Sequence, residues 1–516
     1  MRRSIALFVF VACVIAGSAS AAQASPSKLK VEQWVTPGGK YISHKELTKL
    51  DVVNGKLVTN VVLPAGYSSR KCWPVMYLLH GTSDGPAPVS LQWLQIDNGE
   101  LLKMHIPAIL VIPGSGDSWW VNNWWGGYRH PAWESWLLQD ILPLVARRLH
   151  VCPQRNEHVI AGLSMGGFGA IYLATQRPDY FGSAGSFSGV LSPESPNFLS
   201  IYPTFSAYWG PPGKFYAIGH DPLALVDNLQ HTRVFVGAGN GIATPGESTA
   251  FISEFEESEF DQESLAFAAK ARSAGVSVHF DQHAGTHDPL NWLLSLRHML
   301  AWKPFAPVVS NPKSWKFYTV ESSGDAWGWQ FSFRNYGYPN QIIEFSLAHG
   351  VFSARGSGVV TITTPQGNKL SGTIPFDIAA GKLRELNKAP VPHVVGGYEQ
   401  LAKVTPTVVP PATPTSPLQF SFTTAQALPK DQEYQVGLVS LSTTQTSTAC
   451  EDEDLTRVFQ PGDGKLVTLT INPPSTGPTP GAWCSGQQAI GVTEVPRNSP
   501  PLVLGNIIGY ALTTFP

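Results

Sequence analysis

The stretch HVIAGLSMGGFGAIYLATQRPD, residues 158–179, changes its hydrophobic period partway along. An apolar run rich in β-branched residues, Val159-Ile160-Ala161, meets Gly162-Leu163-Ser164-Met165-Gly166-Gly167, after which Phe168, Ile171, Tyr172 and Ala174 recur at helical spacing until Arg177-Pro178. The pattern predicts a strand, a tight turn and a helix. The turn spells G-x-S-x-G, which in this setting presents a nucleophilic serine. A serine hydroxyl is weakly nucleophilic at its own pKa, so it needs a base beside it and donors that can hold an oxyanion. A direct swing from strand to helix puts Ser164 on strained backbone with its oxygen above the sheet edge. Gly162 and Gly166 are small because strand and helix close on each other there. The helix start aims unpaired N–H groups and a positive dipole end at the reacting carbonyl. Without the flanking strand and helix, the same letters would describe an ordinary glycine-rich turn.

A chain of 516 residues predicts two or three domains, and a hydrophobic content of 43% is enough to build their cores. With 35 basic against 37 acidic residues, no polyanion partner is implied and no nucleic acid is expected. Arg2-Arg3, an apolar run over 5–15 and Ala22-Gln23-Ala24 have the three parts of a secretory signal over 1–24, with cleavage before Ser25 and Ala21 as the other candidate. The run is shorter than the roughly 20 residues a membrane span needs. No later stretch is apolar enough, so an exported, soluble protein with no transmembrane span is expected.

Over 34–303 apolar runs alternate with helical patterns, as a mostly parallel α/β sheet requires. Strands are predicted at 56–63, 75–79, 108–112, 234–236 and 276–280, and an amphipathic helix over 131–149 carries Trp133, Trp136, Leu137, Ile141, Leu144 and Val145 on one side. The last strand leads to Gly285-Thr286-His287, followed by Asp288-Pro289, a cap residue with proline at the first helical position. His287 therefore lies on a strand-to-helix loop at the same sheet edge as Ser164, and after it in the chain. Among 14 histidines, that position selects it as the base; His279, His283 and His298 are the alternatives.

YLLHG, PAWESWLLQDILPLV, VIAGLSMGGFGAIYLATQRPDYFGSAGSFSG and GTH resemble the esterase D-like branch of the α/β-hydrolases, which includes S-formylglutathione hydrolases, feruloyl esterases and antigen 85 mycolyltransferases. The likeness covers 57–303. It implies an α/β-hydrolase domain, with Ser164 as nucleophile, His287 as base and the backbone N–H groups of Met165 and Thr82 as the oxyanion hole, Thr82 being placed by His80-Gly81 before it. Where esterases of this branch carry an aspartate, this chain has Gly239-Asn240-Gly241. The mycolyltransferases, with a Gly-Asn-Gly turn and a later glutamate, are the closer match there, and aligning Phe255-Glu256-Glu257 and Phe267 to them selects Glu257 as the acid. Helical geometry leaves Glu254 and Glu259 nearer an inward face defined by Phe251 and Phe255, and a run with Glu254, Glu256, Glu257 and Glu259 also reads as a solvated acidic face.

A dense aromatic tract, Trp119, Trp120, Trp124, Trp125, Tyr128, His130 and Trp133, leaves the carboxyl end of a strand, where open α/β sheets bind ligands. Trp120, Trp124 and Trp125 are the expected groove residues, as the mycolyltransferase cleft also suggests; packing is the competing role. After loss of Cys13 with the signal, Cys72, Cys152, Cys450 and Cys484 remain. The hydrolase sheet would make the strands after Cys72 and Cys152 neighbours, which implies disulfides Cys72–Cys152 and Cys450–Cys484. No cysteine spacing points to a metal, and neither metal nor cofactor is expected.

From 304 onward the pattern turns to β. Alternating segments over 304–403 predict a β-sandwich-like accessory domain, 404–417 reads as a stiff Pro/Thr linker, and 418–516 as a second small β domain. Wall or polymer attachment, or added stability, suits both. The sequence as a whole describes a secreted serine esterase or acyltransferase whose acyl-enzyme passes its acyl group to water or a sugar hydroxyl, its substrate an ester or acyl-sugar. The competing class is a binding protein that kept the hydrolase fold without its chemistry.

Overall fold

The computed structural model describes residues 29–36, 38, 40–42, 57–82, 89–124, 130–195, 198, 206–210, 214–334, 341–386, 404–424, 432–440, 457–459, 466–473, 486–496 and 507–515. The expected signal over 1–24 and the expected Cys450–Cys484 pair lie outside the described residues.

The strand before Ser164 is one of eight in a mixed sheet. In chain order they are β1 (Lys30–Thr36), β2 (Leu57–Leu63), β3 (Val75–Leu79), β4 (Ile109–Pro113), β5 (His158–Leu163), β6 (Ser183–Phe187), β7 (Arg233–Gly239) and β8 (Ser277–His283). They pair in the order β1-β2-β4-β3-β5-β6-β7-β8. The β1-β2 and β2-β4 pairs are antiparallel, and the rest run parallel. Every residue of β3, β4 and β5 is buried, which is why these strands read as unbroken apolar runs. Alternate residues feed opposite cores: Val75, Tyr77 and Leu79 enter one, Met76 and Leu78 the other.

Three helices position the site. α1 (Met165–Gln176) is buried along its whole length; α2 (Phe251–Ser273) joins β7 to β8. α3 (Pro289–Ala301) starts at Asp288, whose Oδ1 accepts from Leu290 N at 2.9 Å. α1 contributes Phe168 and Ile171 to the first core and α3 contributes Trp292 and Leu296 to the second, so helices cover both faces of the sheet. The helix expected over 131–149 spans 133–148, with a π-turn at Leu137–Ile141 in its middle. Because β3 and β5 are parallel neighbours and Trp73 bridges Val151 just before them, Cys72 and Cys152 meet in a disulfide with Cα atoms 4.7 Å apart.

Beyond the α/β unit, a four-stranded and a five-stranded antiparallel sheet, running from Trp315–Thr319 to Lys382–Glu385, enclose one aromatic-rich core with Trp315, Phe317, Phe331, Phe345, Phe352 and Phe376. The segment expected to be a linker departs from that reading. Val404–Val409 is a strand paired with Leu418–Thr424, which in turn pairs with Val467–Ile471. Pro406 cannot donate to a ladder, but this strand is the edge of its sheet, where proline is tolerated; only 410–417 connects. A further four-stranded sheet holds Gln432–Ser440, Arg457–Phe459, Gly486–Pro496 and Ile507–Phe515. Among the described residues, no helix is long and apolar enough to cross a membrane.

Candidate active site

Ser164 sits between β5 and α1 with φ 52° and ψ −122°. L-residues rarely adopt this conformation, and holding it costs on the order of 1–3 kcal/mol. The surroundings enforce it. A Cβ on Gly162 would lie 2.2 Å from Gly166 O, and one on Gly166 would lie 2.3 Å from Leu79 O. Strand, turn and helix therefore close to backbone contact only through these two glycines.

The Ser164 Oγ lies 3.0 Å from His287 Nε2, and His287 Nδ1 lies 3.0 Å from Glu257 Oε2. The serine comes from the β5-α1 turn, the histidine from the loop between β8 and α3, and the glutamate from α2. Phe260 and Trp292 pack edge-on against the imidazole, with ring centroids 5.1 and 5.0 Å away, and His287 N donates to Ser253 O at 2.9 Å. Glu257 is fully buried. Its second oxygen, Oε1, accepts from Ser188 Oγ at 2.7 Å, Asn291 Nδ2 at 2.8 Å and Gly239 N at 2.5 Å. Such donors compensate a buried carboxylate for lost water and fix its orientation. Asn291 Nδ2 also reaches Thr286 O at 2.8 Å, which ties α3 to the histidine loop. Of the glutamates left open by the sequence, Glu256 lines the cavity beside Ser164. Glu259 is buried near Glu263, whose carboxyl is pushed well above the usual range first by burial and then by the Glu259 charge.

Met165 N belongs to the first residue of α1, among the helix-start N–H groups that have no intrahelical acceptor. The Thr82 loop approaches from the other side: a Cβ on Gly81 would lie 3.2 Å from the Ser164 Cβ. His80 fixes that loop. Its Nε2 accepts from Ser115 N at 3.0 Å, so its Nδ1 carries the proton and donates to Gly81 O at 2.7 Å. In a trans peptide the C=O and the following N–H point opposite ways; anchoring the Gly81 carbonyl thus aims Thr82 N–H away from His80. Burial pushes His80 down to about 4, which keeps the ring neutral.

A cavity of about 460 Å³ opens over Ser164, lined by Thr82, Gln92, Asp117, Trp119, Ile252, Ser253, Glu256, Phe260, His287 and Trp292. The aromatic tract divides. Trp119 lines the cavity. Trp120, expected in the groove, is fully buried, and its ring packs against Gly169 and against His80 at 5.0 Å; it is a packing residue. Trp124 packs on Tyr216 at 4.9 Å and Phe215 at 6.3 Å, away from that cavity, and Trp125 lies outside the described residues. Trp119 and Trp120 both have positive φ, 53° and 57°, a kink that sends adjacent indoles to different places and that a sequence pattern does not register. Of the alternative histidines, His279 stacks on Phe235 at 5.4 Å, His283 pairs with Ser295 and His298 with Asp281. Phe260, Trp292, Ser188 and Asn291 were not singled out in the sequence. Asn291 at α3 position three was the accessible signal, as a polar residue beside Trp292 in an otherwise apolar helix start.

The fold and this geometry define an α/β-hydrolase with a serine at its elbow. A family model described as putative esterase matches residues 51–303, and the chain belongs to that family over this segment. Over 242 residues it is 25% identical to the esterase Rv1288 of Mycobacterium tuberculosis, covering 44% of this chain and 52% of that protein. Over 154 residues it is 30% identical to the diacylglycerol acyltransferase/mycolyltransferase Ag85C of Mycobacterium leprae, covering 27% and 46%. Among solved structures, MPT51 of Mycobacterium tuberculosis is similar at 23% identity and a TM-score of 0.38, covering 48% of this chain and 92% of that one. The chain spans about half the length of the curated relatives it matches.

Proposed function

We propose that this protein is an exported serine esterase or acyltransferase that acts on carboxylic esters through an acyl-enzyme. The unbroken run from Ser164 Oγ through His287 to Glu257 carries the reading. His287 Nε2 takes the hydroxyl proton as Ser164 Oγ bonds to the ester carbonyl carbon. The charge that develops on the carbonyl oxygen is met by Met165 and Thr82 N–H groups. The C–O bond to the leaving alcohol then breaks, and His287 returns the proton to that alcohol. Water or a sugar hydroxyl repeats the sequence in reverse on the acyl-enzyme. Glu257 holds the imidazole in the Nδ1–H tautomer and stabilises its cation. Polar groups that line the cavity, Gln92, Asp117, Ser253 and Glu256, support a hydroxyl-rich acceptor, and Trp119, Ile252, Phe260 and Trp292 support an apolar acyl chain.

The deciding experiment is turnover of p-nitrophenyl esters from acetate to long acyl chains, with and without trehalose, alongside fluorophosphonate labelling. Turnover and labelling lost in Ser164→Ala are expected. Acyl-sugar in the products makes the protein a transferase, and free acid alone makes it a hydrolase. A wild type that neither turns over any ester nor takes the label overturns the proposal and leaves a binding protein.

A further inference from the structure

A second group of polar side chains lies where the α/β unit meets the first β domain, and the chemistry above does not use it. Glu134 opens the helix over 133–148, His220 follows the short helix Phe215–Ile218, and Glu321 follows the strand Trp315–Thr319. All three are buried, at 4%, 0% and 6% exposure. One donor atom from each lies within 4.8 Å of the others. His220 Nε2 is 3.4 Å from Glu321 Oε1 and 4.0 Å from Glu134 Oε2.

The protons on His220 can be placed. Its Nδ1 is 2.7 Å from Tyr216 O, and a carbonyl only accepts, so Nδ1 carries hydrogen. In the neutral ring the lone pair is then on Nε2, which has no hydrogen-bond partner and faces two carboxylates. Positive charge between them relieves the repulsion, and it can be a proton or a metal ion. A proton on Nε2 would draw a carboxylate oxygen to about 2.7–2.9 Å, and the nearest is at 3.4 Å. Two ligands bound at 2.0–2.1 Å to a tetrahedral ion stand about 3.3 Å apart. The surroundings also suit a metal. Tyr172 donates to Glu134 Oε2 at 2.7 Å and Asn122 Nδ2 to Glu321 Oε2 at 3.1 Å, and the ring nitrogen away from the ion is held by a carbonyl, as ligating histidines usually are. Arg177, which lines the adjoining cavity of about 710 Å³ with Glu134 and Glu321, already pairs with Asp179 at 2.9 Å.

We propose that Glu134, His220 and Glu321 bind a divalent ion of the zinc class that ties the first β domain to the α/β unit, with water from the adjoining cavity completing its coordination. Mixed nitrogen and oxygen donors favour zinc over calcium, which takes oxygen ligands. The full-length protein is stripped with a chelator, dialysed and titrated with zinc chloride, and binding, thermal midpoint and fluorophosphonate labelling at 25 °C are followed. Saturable binding near one ion per chain is expected, with a midpoint that rises on loading and labelling of Ser164 that does not change. Glu321→Gln should weaken that binding by about 10-fold or more. Asp281, His283 and His298 form another grouping with ligand atoms within 4.8 Å, and Asp281→Asn should leave the midpoint shift intact. No saturable binding, no midpoint shift in wild type, or a shift that survives Glu321→Gln and disappears in Asp281→Asn each overturns the proposal. If Glu321→Gln fails to fold, the wild-type titration and the Asp281→Asn arm still decide.

Discussion

His80 shows how a residue outside the reacting groups can set their geometry. It is fully buried and bonded on both ring nitrogens, and in the proposed mechanism its grip on the Gly81 carbonyl is what aims Thr82 N–H at the oxyanion. His80→Ala should lower kcat by about 10-fold or more with KM little changed, since a donor misaimed at the transition state costs rate rather than ground-state binding. A parallel fall in KM and kcat, or none, would remove His80 from that role. The same ring gives a pH prediction. Its folded value of about 4 lies below the ordinary 6.5, so between these values the unfolded chain takes up a proton that the fold refuses. The stability it contributes is present in full above about 6.5 and is lost as pH falls through 4, by at most about 3 kcal/mol. Asp221, pushed up to about 7 by burial, acts in the opposite sense, so urea midpoints must be compared between wild type and His80→Ala at pH 7.5 and 4.5. The gap between the two proteins should narrow at the lower pH. Glu257→Gln, which keeps shape and removes charge, should lower kcat by roughly 10³–10⁴-fold; a loss of only a few-fold would assign the acid to another residue.

At the scale of elements, the β5-turn-α1 unit depends on two glycines more than on any apolar contact. Gly166→Ala would drive a methyl to 2.3 Å from the Leu79 carbonyl and 2.6 Å from that of His80, both backbone. Neither can move without displacing β3, so a cost of about 1–3 kcal/mol or more, with loss of activity, is expected from urea melts and ester turnover; a variant as stable as wild type would mean the turn can open. This unit was legible in the sequence because strand, turn and helix are consecutive and each has a local signature. So was the His287 loop, marked by Asp288-Pro289 at a helix start. The Glu257 position was reached through a family resemblance and not through helical geometry, and the reason is physical. Over 257–260 α2 is buried on every side, Glu257, Ser258, Glu259 and Phe260 all being 3% exposed or less, so no single inward face exists for Phe255 to define. Ser188, Asn291 and Gly239 N converge on the carboxylate from the turn after β6, from α3 and from β7, and a convergence of that kind has no spacing in sequence. Val404–Val409 was misread because the five prolines and four threonines over 404–417 resemble a linker when the edge position that tolerates Pro406 is not in view.

Over the whole molecule, the first β domain is held to the α/β unit by buried polar contacts rather than by a tether alone. Asn228 Nδ2 donates to Tyr318 O at 2.9 Å and Tyr318 N donates to Asn228 Oδ1 at 2.8 Å, a pairing that treats one side chain as if it were the next strand. Arg155, 5% exposed, donates to Pro178 O, His231 O, Val309 O and Thr232 Oγ1 and lies 4.8 Å from the Trp327 ring. Burial lowers its pKa to about 10, which still leaves it charged. Asn228 and Arg155 reach Thr175 O and Pro178 O, at the end of α1 opposite Ser164, so these contacts can join the stability of the two units without touching the reacting groups. Asn228→Ala removes both bonds to the Tyr318 backbone together with the one that Asn228 Nδ2 donates to Thr175 O at 3.1 Å, a cost of about 2–4 kcal/mol in all. The penalty falls on the contact between units more than on either core. Calorimetry should therefore resolve two transitions where wild type shows one, while fluorophosphonate labelling of Ser164 at 25 °C stays within about 2-fold because the elbow, His287 and Glu257 belong wholly to the α/β unit. A single transition lowered as a block would show that the cores, and not this pairing, couple the domains; a loss of labelling would show that the β domain reaches the site after all.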